Sequence, residues 1–225
     1  MNDATTDITG EALNEINRQI AAHCKIAGRS RDAVQLIAVS KTRTADQIMP
    51  LLNAGQRAFG ENRVQEAEAK WPALKAKFPD VELHLIGQLQ SNKASEAVAV
   101  FDCIHALDRL SLMKALGKAM REAGKVVPCF LQVNIGAEEQ KGGCAIADIS
   151  VLLDAAKTEG IPIIGLMCLP PANLEPAPFF ALLAELAARN GLSQLSMGMS
   201  DDFGTAIMLG ATHIRVGTAL FGQRA

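Results

Sequence analysis

The sequence predicts an α/β fold: a single (β/α)8 barrel of the TIM type with an extra N-terminal helix. Three observations predict it. Eight short apolar runs recur along the 225 residues, at 34–41, 58–62, 83–87, 103–107, 129–135, 163–169, 194–199 and 213–217. Stretches of helical periodicity separate them. The alternation continues to the end without a linker, and a chain of this length is comfortable as one undivided barrel. Most runs are apolar on both faces, as strands of a parallel sheet covered by helices must be. An open doubly wound sheet would give a similar pattern, but strict alternation over eight strands favours closure.

Each remaining element has its own signal. Residues 1–10 are polar and expected to be flexible, with neither the basic start nor the apolar stretch of a secretory signal. Leu13, Ile16, Ile20 and Cys24 recur at helical spacing, so a helix here covers the bottom or side of the barrel. Thr44 and Gln47 read as a capping box, yet Pro50 falls inside that helix at a cost of about 3 kcal/mol. A kink, or a start near Pro50, is therefore expected. Gln90-Ser91-Asn92-Lys93 reads as a polar helix start. Asp108 is expected to cap a helix to Ala123 that Gly124 closes, and Asp148 one to Thr158 before Gly160. Phe179, Leu182, Leu183 and Leu186 make the packing stripe of a helix over 178–190. Ser200 is expected to cap a helix running to Leu209, and Thr218 to open a short last one.

Composition narrows the function classes. With 22 basic and 24 acidic side chains the net charge is −2, so nothing pulls the molecule towards nucleic acid or an acidic membrane. No segment approaches the roughly twenty apolar residues that span a bilayer. The five cysteines are scattered, with no close pair to mark a metal site or redox motif, which fits reduced thiols in a cytoplasmic protein. A small ligand is the expected partner, and no metal is expected.

In this architecture the carboxyl ends of the strands form the working face. Lys41 follows Leu36-Ile37-Ala38-Val39-Ser40, and alternation puts it on the side of Ile37 and Val39, towards the barrel mouth. Partial desolvation there favours the neutral amine, which can attack an aldehyde or ketone and form an imine. The bland alternative is a solvated lysine at a strand end. On the last run, alternation groups His213, Arg215 and Gly217; Gly217-Thr218 then offers free N–H groups and a hydroxyl suited to a phosphate. Ser196-Met197-Gly198-Met199-Ser200-Asp201-Asp202 has the same build, and the two turns could share one phosphate. Ordinary strand–helix turn chemistry accounts for either turn taken alone. Glu61, Asn62, His84, Gln88, Gln132 and Asn134 add polar groups near other strand ends. A histidine between Leu83 and Leu85 is more often a satisfied core residue than a base, and Asn62 and Asn134 can simply bond their own loops.

Taken together these residues resemble the pyridoxal phosphate homeostasis proteins, which look like the barrel domain of alanine racemase without its second domain. The resemblance is carried by Ala38-Val39-Ser40-Lys41, Phe59-Gly60-Glu61-Asn62, His84-Leu85-Ile86-Gly87 with Leu89-Gln90-Ser91-Asn92-Lys93, Gly165-Leu166-Met167, Leu195-Ser196-Met197-Gly198-Met199-Ser200 and Arg215-Val216-Gly217-Thr218 with Phe221-Gly222. It implies pyridoxal 5′-phosphate as cofactor, with Lys41 as the Schiff-base lysine. It further implies that Ser200, Gly217 and Thr218 hold the phosphate and that Arg215 faces the pyridine nitrogen. Asn62, His84 and Met199 match positions lining the family's pocket. Where the family often has tyrosine after Gly-Glu-Asn, this chain has Arg63.

The resemblance also bears on catalysis. A guanidinium beside the ring nitrogen stays protonated and disfavours a pyridinium, which weakens the ring as an electron sink. A racemase needs two bases, and in the related enzyme the second is a tyrosine from another domain; this chain has no tyrosine and is expected to have no second domain. The expected function is therefore cofactor holding and supply for vitamin B6 homeostasis without efficient turnover, by a monomer, with cofactor-accepting apo-enzymes as candidate partners. A racemase-like amino-acid enzyme and a cofactor-free Schiff-base aldolase acting on a phosphorylated sugar are the alternatives.

Overall fold

Every apolar run overlaps a strand in the computed structural model, which describes residues 3–222; seven contain theirs, and the third strand begins one residue early, at Glu82. The strands are β1 (Gln35–Val39), β2 (Ala58–Glu61), β3 (Glu82–Leu85), β4 (Cys103–Leu107), β5 (Cys129–Gln132), β6 (Ile163–Met167), β7 (Gln194–Ser196) and β8 (His213–Val216). They pair in parallel in sequence order, and β1 closes on β8 through the register Ile37↔Arg215 and Ala38↔Val216. The barrel is closed, as the strict alternation predicted.

Helices α1 (Asp3–Ile26), α2 (Ala45–Asn53), α3 (Val64–Lys77), α4 (Ala94–Val100), α5 (Leu110–Ala123), α6 (Ile149–Glu159), α7 (Ala177–Arg189), α8 (Phe203–Met208) and α9 (Thr218–Phe221) surround it. None is long and apolar enough to cross a membrane among the described residues. The core divides by strand parity. Leu36, Ala38, Phe59, Leu83, Leu85, Ile214 and Val216 face outward into the layer beneath the helices, and Cys103, Phe130 and Met167 form a smaller cluster inside the barrel. Leu13, Ile16, Ile20 and Cys24 of α1 are buried, and that helix packs on α2, α8 and α9, covering the side of the barrel.

Several local expectations change. Of the segment expected to be flexible, residues 3–10 are helical, since a polar sequence that starts with acidic residues suits a helix N-terminus; residues 1 and 2 lie outside the described residues. The Thr44–Gln47 capping box is present, so α2 starts at Ala45 and carries Pro50 in its interior. Buried Ile48, Leu51 and Leu52, each worth about 1.5–3 kcal/mol, outweigh the proline's cost. Asp108 does not cap α5; its carboxylate takes hydrogen bonds from Arg109 and from the Gly143 N–H of a distant loop instead. Asp148 occupies the cap position of α6 without a side-chain bond. The α7 stripe is Phe180, Leu183, Leu186 and Ala187, with Phe179 and Leu182 at its edge, because the helix is rotated slightly from the predicted face. Ser200 does not cap α8, which begins after Asp202, the residue whose carboxylate accepts from the Met199 N–H.

Candidate functional site

Parity along β1 decides where Lys41 goes. Leu36, Ala38 and then Ser40 face outward, and Ser40 donates to Glu61 at 2.6 Å, so Lys41 continues the lumen-facing series of Ile37 and Val39. Lys41 is half-buried. Thr42 beside it has φ 64°, a left-handed conformation that a β-branched residue rarely adopts. Such strain persists only where surroundings enforce it. Here α3 does so: Lys70 Nζ donates to the Ser40 and Arg43 carbonyls at 2.9 and 3.0 Å, and Glu66 accepts from the Thr42 N–H.

The β7 and β8 ends sit beside this lysine. A Cβ added to Gly217 would lie 3.3 Å from that of Val39, so the last strand runs close to the first with little room between them. The Arg215 N–H donates to the Gly198 carbonyl at 3.0 Å, which sets the 198–200 turn next to Gly217 and Thr218. Gly198 has φ 94°, and a Cβ there would come within 2.6 Å of Ala206, so the turn requires glycine. Ser200 is half-buried, Thr218 is exposed at the start of α9, and Met199 is 40% exposed. Asn62 lies at the same mouth after β2, with its backbone packed against Gly87.

Below the mouth, Arg215 is 4% exposed. Its Nη1 donates to Ser196 Oγ at 2.6 Å and its Nη2 to the Cys168 carbonyl at 2.9 Å. Burial lowers its pKa, opposed by Cys168 and Asp202, but an arginine keeps its charge. Its two hydrogen-bond partners among the described residues are thus neutral oxygens, and a buried cation in that setting suits a ligand that brings an acceptor.

His84 is not at this mouth. It lies towards the opposite, N-terminal mouth, on the wall of a cavity of about 580 Å³ that Gln35, Glu82, Cys103 and His213 also line. His84, Cys103 and His105 bring potential metal-ligand atoms within 4.8 Å of one another, but the two rings already bond each other, Nδ1 to Nε2, at 3.0 Å. Gln132 bonds the Gly142 carbonyl, and Asn134 its own loop at Glu138, as the bland reading had it. Sequence reading passed over His105 and gave Ser196 no role beyond its place in the turn run, although parity places both on the lumen side. It also passed over Lys70, whose role depends on a helix packing over the first loop. All five cysteines are buried and none is disulfide-bonded. Burial raises the pKa of Cys103, Cys129, Cys144 and Cys168, which leaves them poor nucleophiles.

Comparison with known proteins agrees with this geometry. Residues 13–225 match the family model described as alanine racemase, N-terminal domain. The chain is 39% identical to the pyridoxal phosphate homeostasis protein of Pseudomonas aeruginosa, over 95% of each chain. It is 37% identical to that of Aquifex aeolicus, over 95% of this chain and 97% of the other. Among solved structures it resembles PipY of Synechococcus elongatus PCC7942 with PLP bound. The TM-score is 0.78 at 41% identity, covering 90% of this chain and all of that one.

Proposed function

Because the chain belongs to the pyridoxal phosphate homeostasis proteins, within the alanine racemase N-terminal domain family, we propose that it binds pyridoxal 5′-phosphate at the C-terminal mouth of its barrel. The observation that carries this reading is Arg215: a buried, lumen-facing guanidinium held by two neutral oxygens below a lysine at the mouth. Lys41 is the covalent anchor, as a Schiff base to the cofactor aldehyde. Arg215 donates to the ring nitrogen. Ser200, Gly217 and Thr218 hold the phosphate, with Asn62 and Met199 at the rim of the pocket. His84 acts from below, through other side chains.

When bound, the cofactor supplies a reactive aldehyde and a conjugated ring. The protein's own residues orient it and keep the ring nitrogen unprotonated, because a permanent cation already donates to it. That arrangement suits holding and delivery better than turnover. The chain also contains no tyrosine to act as a second base. We therefore read the function as cofactor storage and supply in vitamin B6 homeostasis, without efficient catalysis, by a single-domain cytoplasmic monomer that hands cofactor to apo-enzymes.

The test is the visible absorption spectrum of the protein and of Lys41→Ala, each supplied with pyridoxal 5′-phosphate, before and after addition of a panel of amino acids. The expected result is a Schiff-base band in the wild type, none in the variant, and no product from any amino acid. A wild type without the band overturns the cofactor reading, and turnover of an amino acid overturns the carrier.

A further inference from the structure

Beneath Arg215 a file of buried side chains runs down the barrel axis. Ser196 Oγ, which accepts from Arg215 Nη1 at 2.6 Å, lies 2.8 Å from His105 Nδ1, and His105 Nε2 lies 3.0 Å from His84 Nδ1. Ser196, His105 and His84 are fully buried. They come from β7, β4 and β3, so the file crosses the lumen rather than following one strand. Its last nitrogen, His84 Nε2, is buried without a hydrogen-bond partner. Glu82 Oε2 is 3.7 Å from it, at the N-terminal cavity.

The chemistry of the first member sets the direction of the rest. A guanidinium only donates, whereas a neutral imidazole has one donor and one acceptor. Ser196 Oγ therefore accepts a hydrogen bond from Arg215 and donates its own hydroxyl hydrogen to His105 Nδ1. His105 then carries its hydrogen on Nε2 and donates to His84 Nδ1, so His84 carries its hydrogen on Nε2, towards Glu82. Reversing the order would leave the Ser196 hydroxyl proton with neither of these acceptors. Every donor thus points away from the cation, and the line ends beside a carboxylate. Aligned chains of this kind polarise one another and strengthen the first bond most where the surroundings are dry.

From this geometry we infer that Ser196, His105 and His84 are positioning residues: they fix the plane of the Arg215 guanidinium and tune how strongly it donates to the cofactor's ring nitrogen. The inference rests on the cofactor reading above. A defect anywhere in the file would loosen the guanidinium and alter the bound chromophore.

Two experiments test it. Nitrogen-15 NMR of the histidine rings in the cofactor-free protein at neutral pH should show His105 and His84 neutral, each with its hydrogen on Nε2. A His105 with its hydrogen on Nδ1, or a charged ring at either position, overturns the polarity. In the loaded protein, Ser196→Ala should still form the band through Lys41, but with a shifted maximum and cofactor binding weakened about tenfold, the effect of losing a charged hydrogen bond. Ser196→Thr, which restores the hydroxyl, should recover the maximum. His213→Gln, adjacent to but outside the file, should leave it unchanged. An Ala variant with wild-type maximum and affinity refutes the positioning role. Failure of the cofactor reading would show instead as a missing band in the wild type, and the NMR result would still decide the order of the protons.

Discussion

Ser40 donates its hydroxyl to Glu61 Oε1 across 2.6 Å, and both side chains are fully buried. The same carboxylate oxygen accepts from Trp71 Nε1 at 3.0 Å and pairs with Lys70 Nζ at 2.9 Å. Burial raises the Glu61 pKa, while Ser40, Lys70 and Trp71 oppose it. Because Lys70 also holds the carbonyls either side of Lys41, this ion pair is the fastening of the lysine loop to α3. Lys70→Met would strand a buried carboxylate. The expected loss is about 3 kcal/mol, typical of a buried pair deprived of one partner. It would be read as a lower urea midpoint at unchanged slope, and an unaltered midpoint would show that the pair fastens nothing.

Gly87 supports the other side of the mouth. A Cβ there would sit 2.4 Å from the Asn62 carbonyl oxygen and 2.7 Å from its Cα, and both are backbone atoms that cannot rotate away. Gly87→Ala is expected to cost about 2 kcal/mol, in the range for overpacking, and to weaken cofactor binding by displacing Asn62. Gly10→Ala is the contrast: a Cβ there meets nothing within 4 Å among the described residues, and helix propensity should stabilise the protein by up to about 1 kcal/mol. Thermal melts of the two variants should move in opposite directions.

The phosphate assignment separates from the aldehyde assignment by choice of ligand. Thr218→Val and Ser200→Ala are expected to lower affinity for pyridoxal 5′-phosphate about tenfold each, the loss of a charged hydrogen bond. Affinity for pyridoxal, which lacks the phosphate, should hardly change. Titrations followed by absorbance would measure both; equal losses for the two ligands would place the phosphate elsewhere.

Acid should weaken the fold from the N-terminal cavity inward. His213 is held down to about 3, chiefly by burial, with His84 and Arg215 adding repulsion and Glu82 opposing. Between its ordinary 6.5 and about 3, the unfolded chain binds a proton there that the folded protein does not. Its contribution is therefore intact above pH 6.5 and is lost as the pH falls through that window. Glu82 acts in the same direction lower down: His84 beside it holds it at about 2 against an ordinary 4.5, so its stabilisation is present above 4.5 and lost towards 2. His213→Gln should flatten the stability slope between pH 6.5 and 4.5 by up to about 1.4 kcal/mol per pH unit, approaching one proton's worth towards the lower end. Urea unfolding at a series of pH values checks this, and a variant as acid-sensitive as the wild type would exclude His213 as a source.

Much of the site was legible in the chain because strand periodicity is local information. The parity of Ile37 and Val39 carries through Ser40 to Lys41, and that of His213 and Arg215 to Gly217, so lumen-facing residues could be named before any strand was paired. Side-chain caps at Asp108 and Ser200 fared worse than the Thr44–Gln47 box and the closing glycines Gly124 and Gly160, which are present. Asp108 and Ser200 have the right residue types beside the right periods, yet Asp108 bonds a loop 35 residues away and α8 starts after Asp202. A local cap competes with any tertiary partner of similar strength, and only the folded chain decides between them.

The sequence by itself determined eight strands, their parallel alternation with helices, the lysine at the end of the first and the arginine on the last. Tertiary structure alone decided that Gly217 packs against Val39 where β8 meets β1, that Lys70 and Glu61 clamp the lysine loop, and that Arg215 rests on Ser196, His105 and His84. The physical reason is range. Period and propensity act over a few neighbouring residues, whereas the bonds from Ser196 to His105 and from His105 to His84 span 91 and 21 positions in the chain. They depend on distance and direction across a lumen that exists only once all eight strands have met.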